Sequence, residues 1–187
     1  MTPQTTTFVI HVDDEPGVLN RIASVVRRRA FNIHSVSVGR SDVPGVSRMT
    51  LVIDAPHAAA IRLEAHLSKL IQVRRIEDLT NVAAVSRDLA IVKVAADSTS
   101  RSQIMQLVEV FRGRVIDVAR DSLVIEVTGT EDKVDGFIET LRPFGLLEAA
   151  RTGRVTMARG VRAARPSRRV AGRPPAGASP DAIACSV

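Results

Sequence analysis

The stretch His11–Gly39, HVDDEPGVLNRIASVVRRRAFNIHSVSVG, decides how this 187-residue chain folds. It begins inside a short β-rich run, TFVIHV, in which Phe8, Ile10 and Val12 share one face. Asp13, Asp14 and Glu15 then meet a Pro-Gly step. Val18, Leu19, Ile22, Val25 and Val26 follow on one face of a helix of about four turns. Arg27 to Arg29 close that helix, where cations suit its dipole and a solvated face is the default reading. NIHSVSV alternates again, with Val36 and Val38 on one side. The stretch is therefore strand, helix, strand.

Outward from it the order continues. The loop GRSDVPG separates NIHSVSV from SRMTLVID, where Met49, Leu51 and Ile53 fall together, so the pair is a hairpin with a long loop. Ala60, Leu63, Leu67 and Leu70 make a second helical stripe, and IQVRRIEDL closes the unit as a strand, with poor alternation at Arg74 and Arg75. The pattern then returns. DLAIVKVAA is a strand, and Ile104, Leu107, Val108 and Phe111 are spaced as a helix. RVIDVA and SLVIEVTG form a hairpin. Thr130 is the expected N-cap, with Glu131 and Asp132 in the first turn. Val134, Phe137, Ile138 and Leu141 repeat the helical stripe, Pro143 ends it, and a last strand lies in LLEAARTGRVTMA. The chain is an α+β protein of two tandem ferredoxin-like βαββαβ domains, residues 5–80 and 86–159, with the boundary near TNVAAVSRD. Units of about 75 residues are small for an independent core, so packing against a second copy would help.

The formal charge of +6 belongs mostly to the end of the chain. Residues 160–187 carry five arginines (Arg162, Arg165, Arg168, Arg169, Arg173) and one acid, Asp181. This Ala-, Pro- and Gly-rich segment has no apolar period, and it is expected to be a disordered, functionless tail rather than an anion-binding arm. The body lacks the charge for nucleic acid, and with no Trp or Tyr it lacks stacking residues too. No apolar run approaches a membrane span and no secretory signal is visible. Cys185 is the single cysteine, which excludes an internal disulfide and a Cys-based zinc site. A cytoplasmic protein that binds neither nucleic acid nor membrane is the expectation.

The acidic triplet is the chemical feature that remains. It lies between the first strand and the first helix, with Pro16 suited to the first helical position and Gly17 allowing close approach to the backbone. The N–H groups of Gly17, Val18 and Leu19 face out at the helix mouth, where they favour a carboxylate. Asp13 or Asp14 beside them would take an ammonium, so the loop has the polar complement of a free amino acid. The competing reading is that Asp14 or Glu15 only caps the helix. A catalytic set is the weaker reading: neighbouring carboxylates at a strand end point to different sides. His57 and His66 are nine apart, and no phosphate-loop, dinucleotide, nucleophile-elbow or zinc-protease motif occurs. The corresponding loop of the second half, AADSTSRSQ, has no glycine at its helix mouth.

VDDEPGVLNRIASVVRRRAFNIHSVSVG with SRMTLVID resembles the ACT domain of the small regulatory subunit of acetolactate synthase, also called acetohydroxyacid synthase. VFRGRVIDV and VIEVTGTEDKVDGFIETLRPFGLLEAARTGRV resemble that subunit's C-terminal domain. The resemblance covers about residues 7 to 160. It implies a chain with no active site and no cofactor of its own. Its partner would be a catalytic large subunit that uses thiamine diphosphate, Mg²⁺ and FAD. The chain would activate that subunit and confer feedback inhibition by a branched-chain amino acid, usually valine. It also implies a homodimer through the ACT domain, with effector sites between two chains. Asp14, Pro16, Gly17, Val18 and Leu19 would form one side of each site, and Asn32 and Ile33 would come from the other chain. Asp14 stands where the family pattern commonly has Asn, which bears on effector identity and affinity. One effector site per chain follows, in the first domain. The rival readings are a stand-alone amino-acid-sensing ACT protein with another partner and a small ferredoxin-like enzyme.

Overall fold

A computed structural model describes residues 5–160. The segment read as a tail lies outside the described residues, apart from Gly160. The first half runs β1 (Thr5–Asp13), α1 (Val18–Arg28), β2 (Asn32–Arg40), β3 (Val46–Asp54), α2 (His57–Leu67) and β4 (Val73–Asp78). Its sheet has the order β2-β3-β1-β4, all neighbours antiparallel. The second half repeats it with β5 (Ala84–Ala95), α3 (Arg101–Val110), β6 (Arg114–Val118), β7 (Ser122–Gly129), α4 (Glu131–Leu141) and β8 (Leu146–Arg151). The order β6-β7-β5-β8 corresponds strand for strand to the first sheet. The chain is thus α+β, with two ferredoxin-like sheets and four helices.

Alternation builds each core. Phe8, Ile10 and Val12 on β1 and Met49, Leu51 and Ile53 on β3 face Ile22, Val26, Leu63 and Leu67 of the two helices, and all are buried. In the second half Ala90, Val92 and Val94 with Leu123, Ile125 and Val127 meet Ile104, Val108, Val134 and Phe137. The Phe111 and Phe137 rings sit 5.2 Å apart in a tilted pair.

Several local expectations change. Helix α1 has 11 residues, about three turns, and Gly17 at φ 85° is its N-cap, so Pro16 lies in the turn before the helix rather than at its first position. Leu19 leaves the apolar stripe and is 49% exposed. Thr130 occupies the N-cap of α4, but its hydroxyl makes no capping bond. Helix α4 does end ahead of Pro143, at Leu141, and a 3-10 turn, Arg142–Phe144, follows it. The last strand is two strands, because β9 (Val155–Ala158) leaves the sheet and pairs with Ala84–Arg87 of β5. That start of β5 falls within the stretch read as a boundary.

The β5/β9 ribbon explains why the first sheet is buried on both faces. Val9, Thr50 and Val52 point away from the helices, yet each is at most 2% exposed. Arg48, also on that second face, donates to the Thr156 carbonyl of the ribbon, and the Ser86 and Thr156 hydroxyls are bonded at 2.9 Å. Apolar TLVI and FVI runs therefore suit strands sandwiched between helices and ribbon. Among the described residues no helix is long and apolar enough to cross a membrane.

Candidate functional site

The β1–α1 loop is pinned from both sides. The Asp14 N–H donates to the Gly45 carbonyl at 3.0 Å, tying the loop to the β2–β3 turn, and Asp13 N–H donates to Gln72. The three carboxylates then separate. Asp13 is buried and accepts from Arg74 Nε at 2.6 Å, which makes it a structural ion pair. Asp14 is half exposed; its Oδ1 accepts from the Ser47 hydroxyl at 3.1 Å and its Oδ2 lies 3.9 Å from Arg40 Nε. Glu15 is exposed, and its backbone carbonyl is 3.5 Å from the Val18 N–H.

None of them caps the helix. The N-terminus of α1 has no side-chain capping bond, and its first turn contains no acidic residue. The capping alternative for Asp14 and Glu15 is therefore overturned. Gly17 is the reason the mouth stays open. Its left-handed backbone turns the chain sharply into the helix, and a Cβ built there meets nothing within 4 Å. At this end of α1 the Val18 N–H makes only a long bond to the Glu15 carbonyl, and the Leu19 side chain is exposed.

In the second unit an acid ties down the turn ahead of the helix, although α3, like α1, has no side-chain cap. Asp97 Oδ1 accepts the Thr99 and Ser100 backbone N–H groups at 2.9 and 2.7 Å, and both hydroxyls as well. Those bonds, the Ser100 backbone N–H first, hold its carboxyl well below the ordinary carboxylate range. The turn ahead of α3 is held by its own acid; the turn ahead of α1 is not.

The remaining candidate residues lie elsewhere. Asn32 opens β2 opposite Asp54, and Asp54 is opposite Thr5, whereas the α1 mouth follows Asp13 at the other end of β1. Eight strand steps at ~3.3 Å put roughly 26 Å between them. Within one chain, therefore, Asp14–Leu19 and Asn32–Ile33 are not brought together. Asn32 is exposed and donates to Asp54 Oδ2 at 2.7 Å; Ile33 is partly buried against the first core. Val36 and Val38 lie on one side of this edge strand, opposite Leu51 and Met49, and are 40% and 46% exposed. Arg40, Ser47 and Gly45, which hold Asp14 and its loop, escaped the sequence reading; only strand register places them there.

A cleft of about 400 Å³ lies between the two units, lined in part by His34, Ser35, Asp88, Glu131, Arg151 and Arg154. Its charges are engaged with one another. Arg151 donates to Asp88 at 2.8 Å and to Asp135 at 2.6 Å, and Arg154 donates to Glu131. It is a junction between units rather than a receptor. Among the described residues no group of three or more His, Cys, Asp or Glu is arranged to hold a metal ion.

Two successive βαββαβ units, the first with an open Gly-containing helix mouth beside an acid, define a chain of the ACT-domain class. The description "AHAS small subunit-like ACT domain" fits residues 8–75, and "Small subunit of acetolactate synthase" fits residues 87–160. The acetolactate synthase small subunit of Mycobacterium bovis is 43% identical over 162 residues, 87% of this chain and 96% of that protein. The Bacillus subtilis small subunit is 40% identical over 154 residues, 82% of this chain and 90% of that protein. The crystal structure of the Thermotoga maritima small subunit superposes with a TM-score of 0.79 at 36% identity, covering 84% of this chain and 98% of that one. The chain belongs to the acetolactate synthase small-subunit family.

Proposed function

We propose that this chain is the regulatory subunit of an acetolactate synthase, that it raises the activity of a catalytic large subunit, and that it makes that enzyme inhibitable by a branched-chain amino acid, valine first. The observation that carries the reading is the contrast of the loops that lead into the two helices: Asp97 ties down the turn before α3 through the Thr99 and Ser100 N–H groups, whereas the loop before α1 enters through Gly17 with Asp14 turned to Ser47. The effector carboxylate would bind the Leu19 N–H and the Val18 N–H, the latter giving up its long bond to the Glu15 carbonyl, and the effector's ammonium would approach Asp14. Residues 5–80 act as the effector-binding domain and residues 86–159 serve contact with the catalytic subunit or dimer packing.

The site is completed by a second copy. Edge strand β2 runs from Asn32 to Arg40, and Arg40 pairs with Ser47 beside Asp14. Two such strands packed side by side in opposite directions would place Asn32 of the partner subunit near the open helix mouth. The same packing would cover Val36 and Val38. We take the chain to be cytoplasmic and to bind no cofactor itself; thiamine diphosphate, Mg²⁺ and FAD belong to the catalytic subunit.

The test is acetolactate synthesis by the reconstituted complex, titrated with valine, leucine and isoleucine. Gly17→Asp puts a carboxylate where the effector's own must bind. A like-charge contact there costs on the order of 1–4 kcal/mol, or roughly one to three decades in affinity. Inhibition is lost; because any side chain is strained at the left-handed Gly17, Gly17→Ala, which adds the strain without the charge, is the control, and activation persists in both. Wild-type inhibition in Gly17→Asp would remove the effector from this helix mouth. The purified chain alone makes no acetolactate from pyruvate; measurable turnover, free of contaminating enzyme, would overturn the regulatory reading.

A further inference from the structure

His34 has no opposite number in the sheet. In the β2–β3 ladder Ile33 faces Ile53 and Ser35 faces Val52, so His34 is the extra residue of a β-bulge. A bulge re-aims its side chain. Here it aims the imidazole out of the first unit: Nε2 lies 2.8 Å from Oε1 of Glu131, in the first turn of α4, and Nδ1 lies 3.9 Å from Asp54 Oδ1. The second unit has the same bulge, between Val115 and Asp117, and carries Ile116 there. The fold therefore does not need histidine at this position.

The contacts on either side of His34 form a continuous chain. Asn32 Nδ2 donates to Asp54 Oδ2 at 2.7 Å. Asp54 lies beside His34, and His34 bonds Glu131. Glu131 accepts from Arg154, whose backbone N–H donates back to the Ser35 hydroxyl at 3.3 Å. Arg151 stands 3.9 Å from Glu131 and binds Asp88 of β5 at 2.8 Å. The His34 hydrogen bond is the first cause holding the Glu131 carboxyl below its ordinary range, with burial opposing and the Arg154 charge assisting.

We propose that Asn32, Asp54, His34 and Glu131 form a switchable hydrogen-bond relay that carries effector occupancy from edge strand β2 to the second unit. The inference rests on the effector reading above and specifies how that site is regulated. In the present arrangement Asp54 holds the Asn32 amide, and His34 holds Glu131. An effector that takes the Asn32 amide frees an Asp54 oxygen. The freed carboxylate is one side-chain rotation from His34 Nδ1 and competes with Glu131 for the imidazole. Loss of the His34–Glu131 bond loosens α4 and the Arg154 loop from β2, so the second unit shifts against the first. Two discrete arrangements of one packed chain of side chains are what coupling between distant sites requires.

The experiment uses the full chain with its catalytic subunit. His34→Ile takes the residue that the second unit already tolerates at this bulge, and Glu131→Gln keeps size while removing the charge. Calorimetry with valine, leucine and isoleucine on the small subunit reports binding; inhibition of acetolactate synthesis reports coupling. Both variants lack or weaken the His34–Glu131 bond from the start, so the complex is expected to behave as if effector were already bound: the effector still binds, but activity without effector falls and the further loss on adding it shrinks, by about 2- to 30-fold. The double variant adds nothing beyond the larger single effect, as for residues acting in one network. Asp135→Ala, which breaks a neighbouring Arg151 contact outside the relay, leaves both readouts unchanged. Wild-type inhibition in His34→Ile and Glu131→Gln, with effector bound, would overturn the relay and leave the effector reading intact. Equal loss of binding and inhibition would assign these residues to the receptor instead of the relay. If the wild-type chain binds none of the three amino acids, the effector reading falls and the relay falls with it.

Discussion

Gly153→Ala tests how tightly the two units are joined. Gly153 precedes β9 in the loop that crosses edge strand β2. A Cβ built on it would lie 2.6 Å from the Val36 carbonyl carbon and 3.1 Å from the Ser37 nitrogen. Carbon atoms pack at about 3.5–4.0 Å, so the overlap approaches ~1 Å. The strand cannot yield easily, because Val36 and Ser37 are paired with Leu51 and Thr50 of β3. The loop must move instead. Overpacking of this kind costs about 1–3 kcal/mol. Displacing the loop also strains the Arg154 N–H bond to Ser35, which adds about 0.5–1.5 kcal/mol. A total near 2–4 kcal/mol would lower the urea midpoint by roughly 1 M at an m-value of about 2–3 kcal/mol/M. Amide exchange at Ser35 to Ser37 should rise with it. The control is Gly39→Ala on the same strand, where the added Cβ meets nothing within 4 Å. If Gly153→Ala and Gly39→Ala unfold at the same urea concentration as wild type, the loop does not press on β2, and the close-packed junction is wrong.

Other expectations concern pH and the chain end. Burial, then the Arg48 charge, pushes the His11 imidazole below its usual 6.5. The unfolded chain then takes up a proton that the folded chain refuses, so this stability is complete above 6.5 and is lost as pH falls below it. Melting temperatures between about pH 7.5 and pH 5.5 should fall less steeply in His11→Asn. Asp97 has the carboxylate sign: its contribution is present above its usual 3.8 and disappears on acidification, so Asp97→Asn should flatten the acid limb and Asp97→Ala should lower the melting temperature at pH 7. Identical acid limbs in wild type and Asp97→Asn would show that those bonds do not form in solution. Removing residues 160–187 should leave melting temperature, activation and effector response unchanged, since their sequence has no periodic apolar face. Lost activation in the truncated chain would identify a docking element there.

By itself the sequence determined the element order, because the two periodicities that encode it are local. Phe8, Ile10 and Val12 at alternate positions, and Ile22, Val25 and Val26 along one helical stripe, bury the faces that their spacing dictates. The open helix mouth was half legible: Gly17 after an acidic run is visible in the sequence, but whether a neighbouring acid closes it depends on where each carboxylate points. Only the folded chain sends Asp13 to Arg74 and Asp14 to Ser47, while Asp97 turns onto Thr99 and Ser100 just ahead of α3. Tertiary structure alone decided the rest. Val9 and Val52 are buried on the second face because a ribbon formed by residues about 70 positions apart, Ser86 and Thr156, covers it. Pairings at that separation leave no local signature, since each segment satisfies its own periodicity with or without its partner. The His34 bulge belongs to two strands at once, and its bond to Glu131 spans 97 positions. No periodicity along one strand records a register between two, so the junction of the units exists only after both have folded.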